Sequence, residues 1–160
     1  MASTELPPPA HRVQTAANEL GLHVEVRVMA QITRTAEQAA AAVGCAVGQI
    51  IKSLIFKGKT TGKPYLLLVS GANRVNEHVV ERVIDEPILR PDADFVREAT
   101  GFAIGGIPPF GHATQIKTYI DEDLLQYETV WAAAGTPNAI FAVDPEQLRE
   151  AVVAPVIAVK

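Results

Sequence analysis

Cysteine is all but missing: Cys45 is the only one in 160 residues. No intramolecular disulfide and no cysteine-based zinc site can therefore form. Cys45 follows Gly44 at an expected helix end and has no histidine beside it, so it reads as a small packing residue rather than a catalytic thiol. Long apolar runs are missing too; none approaches the roughly 20 residues that a membrane-spanning helix needs. Residues 1–10 have neither a basic start nor an apolar stretch, so no signal peptide is expected there. The expectation is a cytoplasmic protein that meets no membrane, with 1–10 as a flexible N-terminal segment and 11–160 as one domain. A basic excess is also lacking. The formal net charge of −4 argues against wrapping a long nucleic-acid duplex, which requires a broad basic face. It is compatible with gripping a single nucleotide end.

Several kinds of chemistry lack their residues. His11, His23, His78 and His112 are scattered, with no spacing that pairs two of them on a metal, so no metal site is expected. Asp121, Glu122 and Asp123 are clustered, but acidic residues at the start of a helix are what its dipole favours. Ser53 and Ser70 stand outside any G-x-S-x-G elbow, and neither a phosphate loop nor a dinucleotide fingerprint occurs. An enzyme with this sequence has to work by positioning and backbone electrostatics, without a cofactor.

What is present is enough apolar residue for one ordinary globular domain, 48% hydrophobic with 20% charged. A chain of this length buries about 70% of the surface its unfolded form exposes. Val13, Ala16, Ala17 and Leu20 at helical spacing predict a helix over 11–20, and Leu22, Val24, Val26 and Val28 alternate as in a half-buried strand. Thr35 and Gln38 form a capping box before an alanine-rich helix that Gly44 can end. The runs 50–56 and 65–69, separated by a Lys/Gly/Thr-rich turn, predict a β-hairpin. Helices follow over 75–84, with Asn73 or Asn76 as cap, and over 92–99, with a short extended piece at 87–90 between them. Strands are then expected at 102–104, 116–120, 128–133 and 139–143, a turn of helix from Asp121, a helix at 145–151 and a last strand near 153–158. The class is mixed α/β (α+β), a single compact domain with a curved mixed sheet.

Two features of this pattern can carry chemistry. From Gly105 to His112 the chain reads Gly-Gly-Ile-Pro-Pro-Phe-Gly-His. Glycine admits positive φ and close approach, whereas proline fixes φ near −65° and removes its own donor. Pro108 and Pro109 also push the residues before them towards extended conformations. The amides of Gly105, Gly106, Ile107, Phe110 and Gly111 are thereby displayed on a stiff frame, either for a ligand or simply as a tight connection between strands. The other feature is Lys52, the one lysine within the apolar run 50–56. It either points to solvent from an alternating face or reaches into a cleft as a cation for phosphate or carboxylate.

The ordered set 35–40 (Thr-Ala-Glu-Gln-Ala-Ala), 49–56 (Gln-Ile-Ile-Lys-Ser-Leu-Ile-Phe), 100–111 (Thr-Gly-Phe-Ala-Ile-Gly-Gly-Ile-Pro-Pro-Phe-Gly), Ile120-Asp121 and Ala134-Gly135 resembles the YbaK family. These are aminoacyl-tRNA deacylases related to the editing domain inserted in bacterial prolyl-tRNA synthetases. The resemblance spans about 11–158. It implies a barrel-like sheet surrounded by helices and an editing domain over 11–160. It also implies hydrolysis of the ester joining a small non-cognate amino acid to the 3′ end of a tRNA, most often proline tRNA, with prolyl-tRNA synthetase or another translation factor as partner. Lys52, Gly105 and Gly106 then take the catalytic positions: the loop amides orient the ester carbonyl, the lysine helps hold the terminal adenosine phosphate, and a ribose hydroxyl of the substrate assists the attacking water. Ile107, Pro108, Pro109, Phe110, Gly111, His112, Gly135, Thr136 and Asn138 take substrate-binding positions, and no metal is required. Pro108 stands where many relatives have a small polar residue, and Thr136 and Asn138 lie in a loop where some carry a histidine. The alternative is a module without catalysis that binds a tRNA end, a nucleotide or a synthetase through the same cleft.

Overall fold

In a computed structural model that describes residues 6–160, the elements run in the order α1 (Pro8–Glu19), β1 (Arg27–Val28), α2 (Ala36–Val43), β2 (Ile51–Gly58), β3 (Pro64–Ser70), α3 (Glu77–Ile84), β4 (Ile88–Leu89), α4 (Ala93–Thr100), β5 (Lys117–Asp121), β6 (Val130–Ala133), β7 (Ala139–Val143), α5 (Pro145–Val152) and β8 (Val156–Ile157). Single 3-10 turns occupy Val47–Gln49 and Glu122–Gln126. The helix ends follow their local chemistry. The hydroxyl of Thr35 accepts from the Gln38 amide and Gly44 closes α2 at φ 75°. The carboxamide of Gln38 reaches back to the Arg34 amide at 2.8 Å, one residue beyond the expected capping box. Asn76, Asp92 and Asp144 cap α3, α4 and α5 with their side chains.

The strands form two sheets, ordered β4-β2-β3-β5-β8 and β1-β7-β6. In the first, β2 pairs antiparallel with β3 and β4, while β5 runs parallel to β3 and to β8. Its central strand is apolar on both faces: Leu66 and Leu68 enter one core with Ile51, Ile55, Ile120 and Phe141, and Leu67 and Val69 enter another with Phe56, Val80, Ile88 and Ile157. Both faces of a sheet covered in this way give a continuous hydrophobic run instead of an alternating one.

Four expectations change. The sheets do not close into a barrel; they touch through the isolated parallel bridge Ile50–Trp131, and the two-residue strands β4 and β8 leave the larger sheet with edges. Residues 102–104 are not a strand, because Gly101 turns the chain at φ 78° and the Thr100 hydroxyl accepts from the Phe102 amide at 3.0 Å. Of the alternating run 22–28, only Arg27 and Val28 find a ladder partner, on β7. The first helix starts at Pro8 rather than 11, with Ala10 fully buried, so 8–10 belong to the folded domain. Of the expected N-terminal segment, residues 1–5 lie outside the described residues.

Candidate functional site

Between the two sheets opens a cleft of about 470 Å³, lined from both. Strand β2 contributes Ile51, Lys52, Ser53 and Leu54, and β6 contributes Trp131, Ala132 and Ala133. The start of α2, with Arg34 to Glu37, forms one wall, and Ile104, Gly105 and Ile107 of the glycine-proline loop form another. Thr136 and Pro137 reach it from the β6–β7 loop. Most of this lining is aliphatic, as in Ile50, Leu54, Ile107, Ala139 and Ile140. Its polar groups are few and convergent, the usual composition of a small-molecule site.

Lys52 resolves to the cleft side, half-buried within β2. Its ammonium donates to the backbone carbonyl of Asn73. Burial lowers its pKa from the ordinary 10.5; Glu37 and Asp121 oppose that, while Arg74 and Arg90 add to it. A charge held at a cleft wall at the expense of its hydration is poised to gain from an anionic ligand.

The glycine-proline loop is divided in two. Its first half faces the cleft. Gly105, at φ 102°, has only Pro137 Cγ at 3.9 Å from where a Cβ would stand, so its surroundings are open and its backbone is glycine's alone. Among the described residues no acceptor is bonded to the amides of Gly105 and Ile107, whereas the Gly106 amide donates to Ala103 at 3.2 Å. Gly106 is closed in: a Cβ there would lie 2.7 Å from the Gly135 carbonyl carbon and the Thr136 nitrogen. Its carbonyl accepts from the Gly135 amide at 2.8 Å. The glycine brings two loops into contact, and the displayed donors are its neighbours.

The second half of the loop turns inward or away. Phe110 is buried against Phe141, with ring centroids 5.5 Å apart. Pro109, Phe110, Gly111 and His112 border a separate hollow with Leu20, Ile116 and Val152. A ring nitrogen of His112 donates to the Pro108 carbonyl at 2.8 Å, and burial pulls the imidazole pKa below 6.5 despite that bond. In the β6–β7 loop, Thr136 donates to Asn138 at 2.9 Å, and Asn138 donates to the Met29 carbonyl at 3.1 Å. Gly135 lies against helix α1, where a Cβ would sit 2.7 Å from the Pro9 carbonyl. Arg12 completes this support: it donates to Gly101 at 3.1 Å and its guanidinium lies 4.6 Å from the Phe102 ring centroid.

Of the residues expected at the site, Lys52, Gly105, Ile107 and Thr136 thus meet at one cleft, and Gly106 and Gly135 lie directly behind it. Pro108, Pro109, Phe110, Gly111, His112 and Asn138 do not line it.

The fold has close counterparts, and residues 31–151 match the model of the aminoacyl-tRNA editing domain. The chain belongs to the aminoacyl-tRNA editing domain family. A solved structure described as "Crystal structure of a putative trans-editing enzyme for prolyl tRNA synthetase" superposes with a TM-score of 0.92 at 48% identity, covering 98% of this chain and 99% of that one. Among curated relatives, "Uncharacterized protein YwhH" of Bacillus subtilis is 34% identical over 119 residues, 72% of this chain and 73% of its own. "Putative Cys-tRNA(Pro)/Cys-tRNA(Cys) deacylase EbsC" of Enterococcus faecalis is 25% identical over 115 residues, 71% of this chain and 70% of its own. Among the described residues of this editing domain, no three His, Cys, Asp or Glu side chains come together as a metal site, and no helix is long and apolar enough to cross a membrane.

Sequence reasoning missed three contributors to the editing-domain cleft. Trp131, the only tryptophan of the chain, lines it with the Arg27 guanidinium 5.6 Å from its ring centroid. Ile104, read as part of a strand, is 60% exposed at the rim. Helix α1 carries no cleft-lining residue, yet its first turns hold both loops. Its place directly before two glycines was the one signal available for Ile104; nothing in the order of residues marks Pro9 or Arg12.

Proposed function

We propose that this protein is a trans-editing deacylase that hydrolyses the ester of a small non-cognate amino acid on the 3′ end of a tRNA, with proline tRNA the first choice. The observation that carries the reading is that Lys52, Gly105 and Ile107 line one largely aliphatic cleft, the last two with amides that bond no acceptor among the described residues. In the reaction, water adds to the ester carbonyl carbon and its oxygen becomes an oxyanion. The bond to the ribose oxygen then breaks, and that oxygen takes up the proton that water gives up. A fixed N–H aimed at the oxyanion contributes roughly 3–4 kcal/mol to the transition state. Gly105 and Ile107 supply such donors, and a ribose hydroxyl of the substrate orients the water. Lys52 supplies a cation for the terminal phosphate, and the aliphatic wall receives the amino-acid side chain. Small residues are what a synthetase rejects least well, since one methylene gives only about 1–3 kcal/mol of discrimination, and a second sieve answers that need.

The experiment is deacylation of proline tRNA charged separately with Ala, Ser, Thr, Cys, 2-aminobutyrate and Pro. Cleavage of one or more small esters, with the Pro ester slow, is the expected result. Rates equal to buffer for the whole panel overturn the reading. Binding of the same tRNAs without cleavage, followed by Trp131 fluorescence, would then make the protein a tRNA-end binding module.

A further inference from the structure

Lys52 has a second layer behind it that the deacylase reading does not use. Asp121, the last residue of β5, is 1% exposed. Its carboxylate accepts from the Ser70 amide at 3.0 Å, from the Asn73 carboxamide at 2.8 Å and from the Asp123 amide at 2.9 Å. Among the described residues no lysine, arginine or histidine pairs with it. Capping the 3-10 turn uses only the bond to Asp123, and that turn is the role expected of an acidic residue there. The other oxygen is spent entirely on the segment leaving β3.

That segment is where Lys52 rests. The Asn73 amide donates to Ser70 at 2.9 Å, its carboxamide donates to Asp121 and, at 2.7 Å, to Asp123, and its backbone carbonyl accepts the Lys52 ammonium. Asn73 is thus held at three points, and the free end of the assembly is an acceptor aimed at the cleft lysine. Hydrogen-bonded carboxylates that orient a functional side chain through an intermediate group are a recurrent way of fixing a site.

We infer that Asp121, acting through Asn73, is the positioning residue that fixes the Lys52 ammonium at the cleft wall. The consequence for catalysis rests on the deacylase reading; the relay itself does not. Charged groups face Lys52 from every side: Glu37 from α2, Arg74 just after Asn73, Arg90 after β4 and Asp121 from β5. Removing the Asp121 charge leaves Arg74 and Arg90 opposed by Glu37 alone.

The test uses the full chain with isotope-labelled lysine, titrated by NMR as wild type, Asp121→Asn, Asn73→Ala and, as a control at the far end of the hairpin, Lys63→Ala. In the wild type Lys52 titrates below the ordinary lysine value of 10.5. Asp121→Asn moves that midpoint lower still, and Asn73→Ala, which keeps the backbone carbonyl but releases the segment that carries it, weakens the bond so that the ammonium protons exchange faster with water; Lys63→Ala changes neither. A Lys52 signal identical in wild type, Asp121→Asn and Asn73→Ala overturns the relay, and if Asp121→Asn does not fold, Asn73→Ala decides alone. On a cleaved ester, each relay variant loses roughly tenfold in kcat/KM, and the loss vanishes in a Lys52→Ala background because both act through one group. Losses that add to that of Lys52→Ala also overturn it. If the wild type cleaves no ester, the deacylase reading fails while the lysine titration still decides the relay.

Discussion

The two ends of the β2–β3 hairpin each hold a charge, and they treat it in opposite ways. At the turn end, the Glu86 carboxylate accepts from the Thr60 and Thr61 amides at 3.0 Å, the Thr61 hydroxyl at 2.8 Å and the Tyr65 hydroxyl at 2.5 Å. Gly58 lets it come that close, since a Cβ there would lie 2.3 Å from a carboxylate oxygen. Those bonds, the Tyr65 hydroxyl foremost, lower the Glu86 pKa from 4.5 to about 2. At the cleft end, burial lowers the Lys52 pKa, so there the ionised form is the disfavoured one. One end stabilises its charge with neutral donors and leaves nothing for a ligand. The other keeps a charge that folding disfavours, beside amides that bond no acceptor among the described residues. Groups whose charge the fold disfavours and that face a cleft are where a ligand gains most.

The strongest way to break this contrast is Lys52→Met. It removes the cleft charge and fills similar volume, so hydrolysis of a small aminoacyl ester falls roughly a hundredfold, the upper range for a hydrogen bond to a charged group. Melting temperature stays level or rises, because a half-buried ammonium no longer has to be accommodated. Glu86→Gln gives the mirror result, a lower melting temperature with kcat preserved below it. If Lys52→Met lost stability and kept activity, the two ends would have exchanged roles. Next in size is Gly106→Ala. The added methyl meets the Gly135 and Thr136 backbones at 2.7 Å, neither of which can rotate aside. Overpacking of this kind costs roughly 1–3 kcal/mol. It also displaces the Gly105 and Ile107 amides, so the deacylation rate falls more steeply than the urea midpoint.

These residues also show what the sequence made legible. Helix α2 with Thr35 and Gly44, the hairpin, and the helices α3 and α4 were all readable, with Asn76 as one of the two caps offered for α3, because each depends on contacts within a few residues. The barrel-like closure and the strand at 102–104 were misread, because closure depends on edge lengths and Gly101 redirects the chain. At the site, the stiff loop and Lys52 stood out by composition, yet the loop looked like one row of donors. Its division at Pro108 arises from Phe110 entering the core beside Phe141, a contact between positions far apart in the chain. Asp121 stood out as a helix-start residue and as part of the family resemblance, with no role at the site. Its second oxygen, bonded to Asn73, has no local signature.

Acid separates the two ends without mutation. The folded-state pKa of Glu86 lies below its ordinary value, so its contribution to stability is full above about 4.5 and is lost as the pH falls towards about 2. Lys52 carries the opposite sense: its folded pKa is lowered, so the fold gains stability only as the pH rises through that value towards 10.5. Urea midpoints measured from pH 7 down to pH 3 should therefore fall less steeply in Glu86→Gln than in the wild type. They should fall in parallel for Lys52→Met and the wild type. A Glu86→Gln profile parallel to the wild type would remove the turn end from the comparison.

The smallest effect is expected at Pro108, just behind the cleft. It is buried, and its carbonyl holds His112, but it does not line the cleft. Pro108→Ala keeps the carbonyl and hence the bond to the imidazole. It loses the conformational restriction, about 0.4–1 kcal/mol, and some buried ring surface, at about 0.8 kcal/mol per methylene. Stability thus drops by about 1–2 kcal/mol, while the Gly105 and Ile107 amides stay in place because Gly106 remains locked to Gly135. Hydrolysis of each small ester should then change by less than about threefold, within the range of substitutions away from a site, and in the same proportion for all of them. A change of preference among Ala, Ser and Cys esters would mean that the second half of the loop reads the amino acid after all. The boundary between site and support would then move from Ile107 to His112.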